Sequence, residues 1–218
     1  MSDRRAPFIV LDGPDGSGKS GQLRLLAETL RAEGVGVVQT REPGGSPSAE
    51  VIRRLLVQGD APDWSPIAEV LLFNAARVQH LLETVRPALA DGKAVLCDRY
   101  VSSTLAYQVG GGGVDAATVL ELHRLCCGDF WPDLTVIVDV PVEVGLARAR
   151  AREDGTGGGE TRFEAKGLDY HRRLRRGYLD LAARRADFLV IDGDRPFEAV
   201  SRDVAAAARA ALARFPSA

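Results

Sequence analysis

At 218 residues the chain is long enough for one well-cored α/β domain carrying a small insertion, and two full domains would be crowded. Hydrophobic residues make up 45% and charged residues 27%, an ordinary balance for a globular protein, and a formal net charge of -2 argues against a general nucleic-acid binder, which needs a basic excess. No apolar run is long enough to span a bilayer and no export segment precedes the first strand, so the sequence predicts a cytoplasmic protein with no membrane partner.

In chain order, the apolar run Phe8 to Leu11 enters Gly13-Pro14-Asp15-Gly16-Ser17-Gly18-Lys19-Ser20, and helix-period leucines follow from Gln22 to Leu30. This spacing predicts a strand, a phosphate-binding loop and a helix. The glycines allow successive amide N–H groups to turn inward as a nest at a helix N-terminus, where the dipole also favours an anion. Lys19 supplies a point charge for the β and γ phosphates, and the Ser20 hydroxyl offers one position on Mg²⁺. The loop does not specify adenine or guanine. Asp15 by itself reads as a turn-forming aspartate.

Val35 to Val38 reads as a second buried strand delivering Arg41-Glu42-Pro43-Gly44-Gly45 to a loop, and further apolar runs recur at Ala94 to Cys97, Leu134 to Val140 and Phe188 to Ile191. Five short strands alternating with helices predict a doubly wound parallel sheet with its ligands at the carboxyl ends of the strands. Asp98 ends the third of these strands, where a second carboxylate for Mg²⁺ is expected, and Arg99 beside it could clamp a phosphate; the plainer reading of the pair is a helix cap with a surface ion pair. Phe73 and Arg77 lie four apart on one helix face, as do Thr104 and Gln108, though an aromatic there can also be core and a polar pair a solvated face. A helix over Val114 to Cys127 puts His123 on its polar side, and Gly110 to Gly113 reads as a flexible connection before it. Cys97, Cys126 and Cys127 have neither metal nor redox spacing and read as packing residues. Arg148, Arg150 and Arg152 precede a glycine-rich stretch through Gly159, the composition of a hinged lid that closes over phosphates. The basic series from Arg172 to Arg185 reads as a solvated helix face, and Val200 to Phe215 as a closing helix.

Four blocks in register resemble the thymidylate kinases: Arg41 to Gly45, Leu71 to His80, Leu96 to Gln108, and Arg162-Phe163-Glu164 after the basic stretch. The resemblance implies one P-loop NTPase-type, nucleoside monophosphate kinase-like domain over residues 1–218 with a lid near 148–162. It implies transfer of the γ-phosphoryl of ATP to dTMP with Mg²⁺, in a homodimer. On that resemblance Asp15, Arg41, Glu42, Phe73, Arg77, Arg99, Ser103, Thr104, Tyr107 and Gln108 meet dTMP. Phe73 stacks on the base, Arg77 takes the acceptor phosphate and Tyr107 crowds the sugar 2′ position. Ser20, Asp98 and Glu164 are the expected metal ligands, and Lys19, Arg99, Arg148 and Arg152 the catalytic charges, with Arg152 first because it lies closest to the glycines. A small residue in the loop combined with lid arginines resembles the mainly bacterial type. Gly21, Ser46 and Thr161 depart from the family pattern. Neither the Asn-Lys-x-Asp guanine motif nor the Leu-Ser-Gly-Gly-Gln transporter signature is present, which weighs against a switch or transport ATPase.

Overall fold

The computed structural model describes residues 6–57, 63–156 and 166–215, the side chains of 152–156 excepted. Its centre is β1 (Phe8–Asp12), buried along its whole length. Successive residues of a strand point to opposite faces. Phe8 and Val10 therefore join Val95, Cys97, Tyr100 and Val101 in one core layer, while Ile9 and Leu11 join Leu96, Val136 and Val138 in the other.

Four strands surround β1: β2 (Val37–Arg41), β3 (Ala94–Asp98), β4 (Leu134–Asp139) and β5 (Phe188–Asp192). All pairings are parallel, in the order β2-β3-β1-β4-β5. The predicted doubly wound five-stranded sheet is thus the observed one. Each strand ends on a charged residue, so Arg41, Asp98, Asp12, Asp139 and Asp192 follow one another across the carboxyl edge.

Helices cover both faces. α1 (Lys19–Ala32) and α9 (Phe197–Leu212) pack on the Ile9 side. α2 (Pro47–Val57) lies against α3 (Pro66–His80), which continues through a π-helical stretch at Leu81–Val85 into α4 (Arg86–Ala90). After β3 the chain makes a short helix α5 (Val101–Thr104), a second π-helical stretch at Leu105–Gly111, and α6 (Ala116–Cys127). α7 (Val142–Thr156) and α8 (Leu168–Ala182) complete the set.

Several local expectations shift. β2 begins at Val37 rather than Val35, because the Val35 amide still donates to the Leu30 carbonyl at the end of α1, after Gly34 turns with φ 85. Arg41 consequently closes a strand on the sheet edge. The closing helix likewise starts earlier, at Phe197 behind Pro196. Gly110 and Gly111 are no flexible connection: both belong to the π-helical stretch, and α8 presses on it so closely that a Cβ on Gly111 would overlap the Tyr170 ring. His123 does not face solvent; it is 1% exposed, edge-on to Tyr100 and Trp131 at 5.8 and 5.2 Å. Of the cysteines, Cys97 and Cys127 are packing residues and Cys126 is exposed. The basic series on α8 is only partly a solvated face, since Arg175 grips Asp139 through two hydrogen bonds of 2.8 Å, and Arg185 beyond it covers Trp131 at 3.7 Å.

Candidate active site

α1 starts behind Gly18, whose φ of 87 turns the chain into the helix, and no side chain caps it. The first amides of the helix are therefore left to the loop, the arrangement that binds an anion. Gly16 is demanded by space: a Cβ there would overlap the carbonyl oxygen of Gly145, and the φ of 72 is itself one that other residues avoid. The loop from Gly13 through Pro14 and Ser17 is thus pressed against β4 and α7, with Ser17 N–H donating to the Pro14 carbonyl at 3.3 Å.

Lys19, 7% exposed, extends its ammonium to the Pro14 carbonyl at 3.3 Å and stands 3.8 Å from Asp15. Burial, and then the neighbouring Arg99, lower its pKa from the usual lysine value, against the pull of Asp15, Asp98 and Asp12. Ser20 Oγ donates to Asp98 Oδ2 at 2.5 Å. A hydroxyl and a carboxylate touching at the loop mouth form the kind of oxygen donor set that fits Mg²⁺, which binds through one or two protein groups and keeps several waters. Glu164, the third predicted ligand, lies outside the described residues, as do Thr161 and Arg162 and the side chain of Arg152. Among the described residues no group of three or more acidic, His or Cys side chains gathers to hold a metal unaided.

Arg99, with the uncommon φ of 70, turns its guanidinium back over the loop. It donates to Asp15 Oδ1 at 2.5 Å, Tyr107 OH at 3.0 Å, Ser103 Oγ at 3.0 Å, Tyr178 OH at 3.0 Å and the Gly13 carbonyl at 3.1 Å. Tyr107 OH in turn donates to Asp15 Oδ2 at 2.7 Å. Burial pushes the Asp15 carboxyl up, but Arg99 and then Lys19 outweigh it and bring the pKa down to about 2.

Asp12 is the residue that sequence reasoning missed. Fully buried at the end of β1, it accepts from Ser102 at 2.6 Å, Tyr178 at 2.7 Å, Ser103 at 2.8 Å and the Gly13 amide at 2.9 Å, with Arg99 at 3.3 Å. The signal that singled out Asp98, an acid closing an apolar strand, was present here too.

The opposite wall comes from α3 and the chain after β3. Arg77, 2% exposed, donates through Nε to Glu42 Oε2 at 2.8 Å and through Nη2 to Thr104 Oγ1 at 2.9 Å. Its Nη1 is buried with no partner among the described residues. His80 joins the other Glu42 oxygen to Thr40, at 2.9 and 2.7 Å. Arg77 and the His80 hydrogen bond hold Glu42 below the usual carboxylate range despite its burial. His80 and Ser102 lie inside the stretches that carry the resemblance but were given no role there, and Thr40 lies outside them; the roles of all three follow from what they touch. Phe73 is half-buried, and Arg41 is paired with Glu50 at 3.2 Å.

Between the two walls lies a cavity of about 900 Å³. Every residue predicted to meet the acceptor, from Asp15 and Arg41 to Tyr107 and Gln108, lines it together with Lys19, Ser20 and Asp98. Arg148 does not line it. It reaches instead to the loop after β5, donating to the Gly193 carbonyl and to Asp194, each at 3.2 Å.

A glycine-bent loop between β1 and α1, on a parallel sheet of this order, defines a P-loop NTPase. The thymidylate kinase family model matches residues 11–204. The chain is 51% identical to the thymidylate kinase of Caulobacter vibrioides over 89% of its own length and 91% of that protein's, and 52% identical to that of Ruegeria pomeroyi over 90% and 92%. The crystal structure of thymidylate kinase from Ehrlichia chaffeensis superposes with a TM-score of 0.75 at 33% identity, covering 94% of this chain and 98% of that one. The chain belongs to the thymidylate kinase family, and is a phosphotransferase.

Proposed function

We infer that this chain transfers the γ-phosphoryl group of ATP to dTMP, giving ADP and dTDP. The observation that carries the reading is the shared cavity: a phosphate loop with Lys19 and Ser20 on one side, and on the other Phe73, Arg77 and Gln108, groups that suit a nucleobase and a monophosphate. A donor held by residues 13–20 and an acceptor held across from it would meet end to end, which is what in-line transfer requires.

The chemistry needs charge and alignment more than proton transfer. The acceptor is a phosphate monoester whose second pKa is about 6, so it is already largely ionised at neutral pH and needs no general base. Lys19 neutralises charge at the donor, and Arg99, anchored by Asp12 and Asp15, presents a guanidinium between donor and acceptor. Mg²⁺ held near Ser20 and Asp98, with Glu164, would supply further neutralisation of the phosphate oxygens. Arg152 of α7 is the charge expected to close over the donor and exclude water, and Arg148 would join it only by leaving Gly193 and Asp194.

Tyr107, tied to Asp15 and Arg99 through its hydroxyl, is the residue that would disfavour a 2′-hydroxyl. Stacking on Phe73 contributes roughly 1 to 3 kcal/mol and tolerates any base, so base choice must come from the polar edge. We further read residues 1–218 as one kinase domain acting as a cytoplasmic homodimer. Exposed Val51 and Leu55 on α2, with Ile67 and Leu71 on the adjoining α3, support a self-complementary apolar face, and free thiols suit a reducing compartment.

The test is a coupled ADP-release assay with ATP and, in turn, dTMP, dUMP, dCMP, UMP and thymidine. dTMP should be preferred, and dUMP poorer but accepted, since one methyl in an apolar pocket is worth only roughly 1 to 3 kcal/mol. Release that depends on none of the five would overturn the kinase reading.

A further inference from the structure

Gln108 is the group on the cavity wall whose meaning depends on which way round it sits. An amide offers an acceptor oxygen on one side and two donors on the other, and a half-turn about its last bond exchanges them. With the oxygen presented, the side chain suits the N3–H of thymine or uracil. With the nitrogen presented, it suits the bare N3 of cytosine. Side-chain type alone therefore leaves the choice between these bases open.

The fold closes that choice through Glu69, which sits in the first turn of α3 behind the Ser65 cap and is 9% exposed. Gln108, 2% exposed, has its Nε2 3.2 Å from Glu69 Oε2. A carboxylate can only accept, so the amide NH₂ is the side that must face it, whatever the preference of the isolated side chain. The half-turned amide would set two oxygens against each other in a buried site. Independently, Gln108 Oε1 is buried with no partner among the described residues, although the side chain lines the cavity. An unmatched acceptor on a cavity wall is a group that a ligand donor can satisfy.

We propose that Glu69 sets the pyrimidine selectivity of the site by fixing the Gln108 amide with its oxygen offered to the base. Glu69 is a positioning residue: it acts through Gln108 and touches neither reacting phosphate. The inference rests on the reading of the cavity as a dTMP site. It assigns the discrimination between a base with N3–H and one without to a residue that composition and spacing leave unremarked.

The experiment compares kcat/KM for dTMP, dUMP and dCMP, with ATP as donor, in the wild type, Glu69→Gln and Glu69→Met. The glutamine can donate as well as accept, which frees Gln108 to turn; the methionine removes the partner while keeping the volume. In both variants the ratio of dTMP to dCMP should fall by at least about tenfold, the scale set by mismatching one buried hydrogen bond. dUMP should follow dTMP, because both carry N3–H. A purely structural role for Glu69 would depress all three acceptors alike. Ratios within about twofold of the wild type in both variants, with unchanged thermal unfolding, would overturn the proposal while leaving the kinase reading intact. A wild type that phosphorylates none of the three would overturn that reading and this inference with it.

Discussion

Asp12 and Lys19 sit seven residues apart and carry opposite burdens. Asp12 collects donors from the phosphate loop, α5 and α8, and from part of the half-buried Arg99 guanidinium. Removing one partner of a buried charged network leaves the others uncompensated, at a cost of roughly 3 to 5 kcal/mol. Asp12→Ala should therefore lower the urea unfolding free energy by about that much, whereas Lys19→Ala should abolish ADP release with a nearly unchanged unfolding midpoint. Loss of stability in both, or turnover surviving in Lys19→Ala, would contradict the division. Asp15 adds a pH dependence. Its folded pKa of about 2 lies below the ordinary 3.8, so its ionised form stabilises the fold at neutral pH and that contribution, roughly 2 kcal/mol, is lost as pH falls from about 4 to about 2. Urea midpoints in the wild type should drop more steeply across that window than those of Asp15→Asn.

Among the elements, α6 shows why periodicity misplaced a side chain. Asp115 caps it cleanly, accepting from Thr118 N–H at 2.9 Å, and the pattern puts His123 with the polar residues. In the fold α6 lies against α3, and the face carrying Val119, His123 and Cys127 is the one turned inward. Burial, then the Arg77 charge, lower the His123 pKa from 6.5 to about 4. The neutral ring is what the fold accepts, so stability should be full above pH 6.5 and decline as pH falls towards 4, at higher pH than the Asp15 window. His123→Leu should flatten that part of the profile, as measured by thermal unfolding; an unchanged profile would mean that another group titrates there. α7 carries the lid expectation. Its base is anchored where Gly145 abuts the phosphate loop. Arg152→Ala should lower kcat far more than it raises the KM for either substrate, and a loss confined to KM would contradict a transition-state role.

At the scale of the whole molecule, one sheet edge organises everything. The carboxyl ends of β2, β3 and β1 deliver Arg41, Asp98 and Asp12 side by side, and the register that pairs Arg41 with Asp98 and Asp98 with Leu11 sets their spacing. No helix among the described residues is long and apolar enough to cross a membrane. The proposed homodimer would cover the exposed apolar residues of α2 and α3. Sedimentation should give twice the 23.4 kDa of one chain, and Leu71→Asp should shift it towards the monomer; a wild-type monomer would remove the dimer from the reading.

Phosphate loop and parallel sheet were legible in the amino-acid sequence because each rests on local chemistry, glycines at a strand-to-helix turn and apolar runs of strand length, whereas the acceptor side of the candidate site was expected mainly from the family resemblance. Edges of elements were less so, since Gly34 and the last turn of α1 decide where β2 begins. The sequence by itself determined which groups are available to hold two nucleotides. Only the tertiary structure decided that Asp12 anchors Arg99, that His123 is buried and that Gln108 meets Glu69, because each depends on which elements pack together, and local sequence does not carry that.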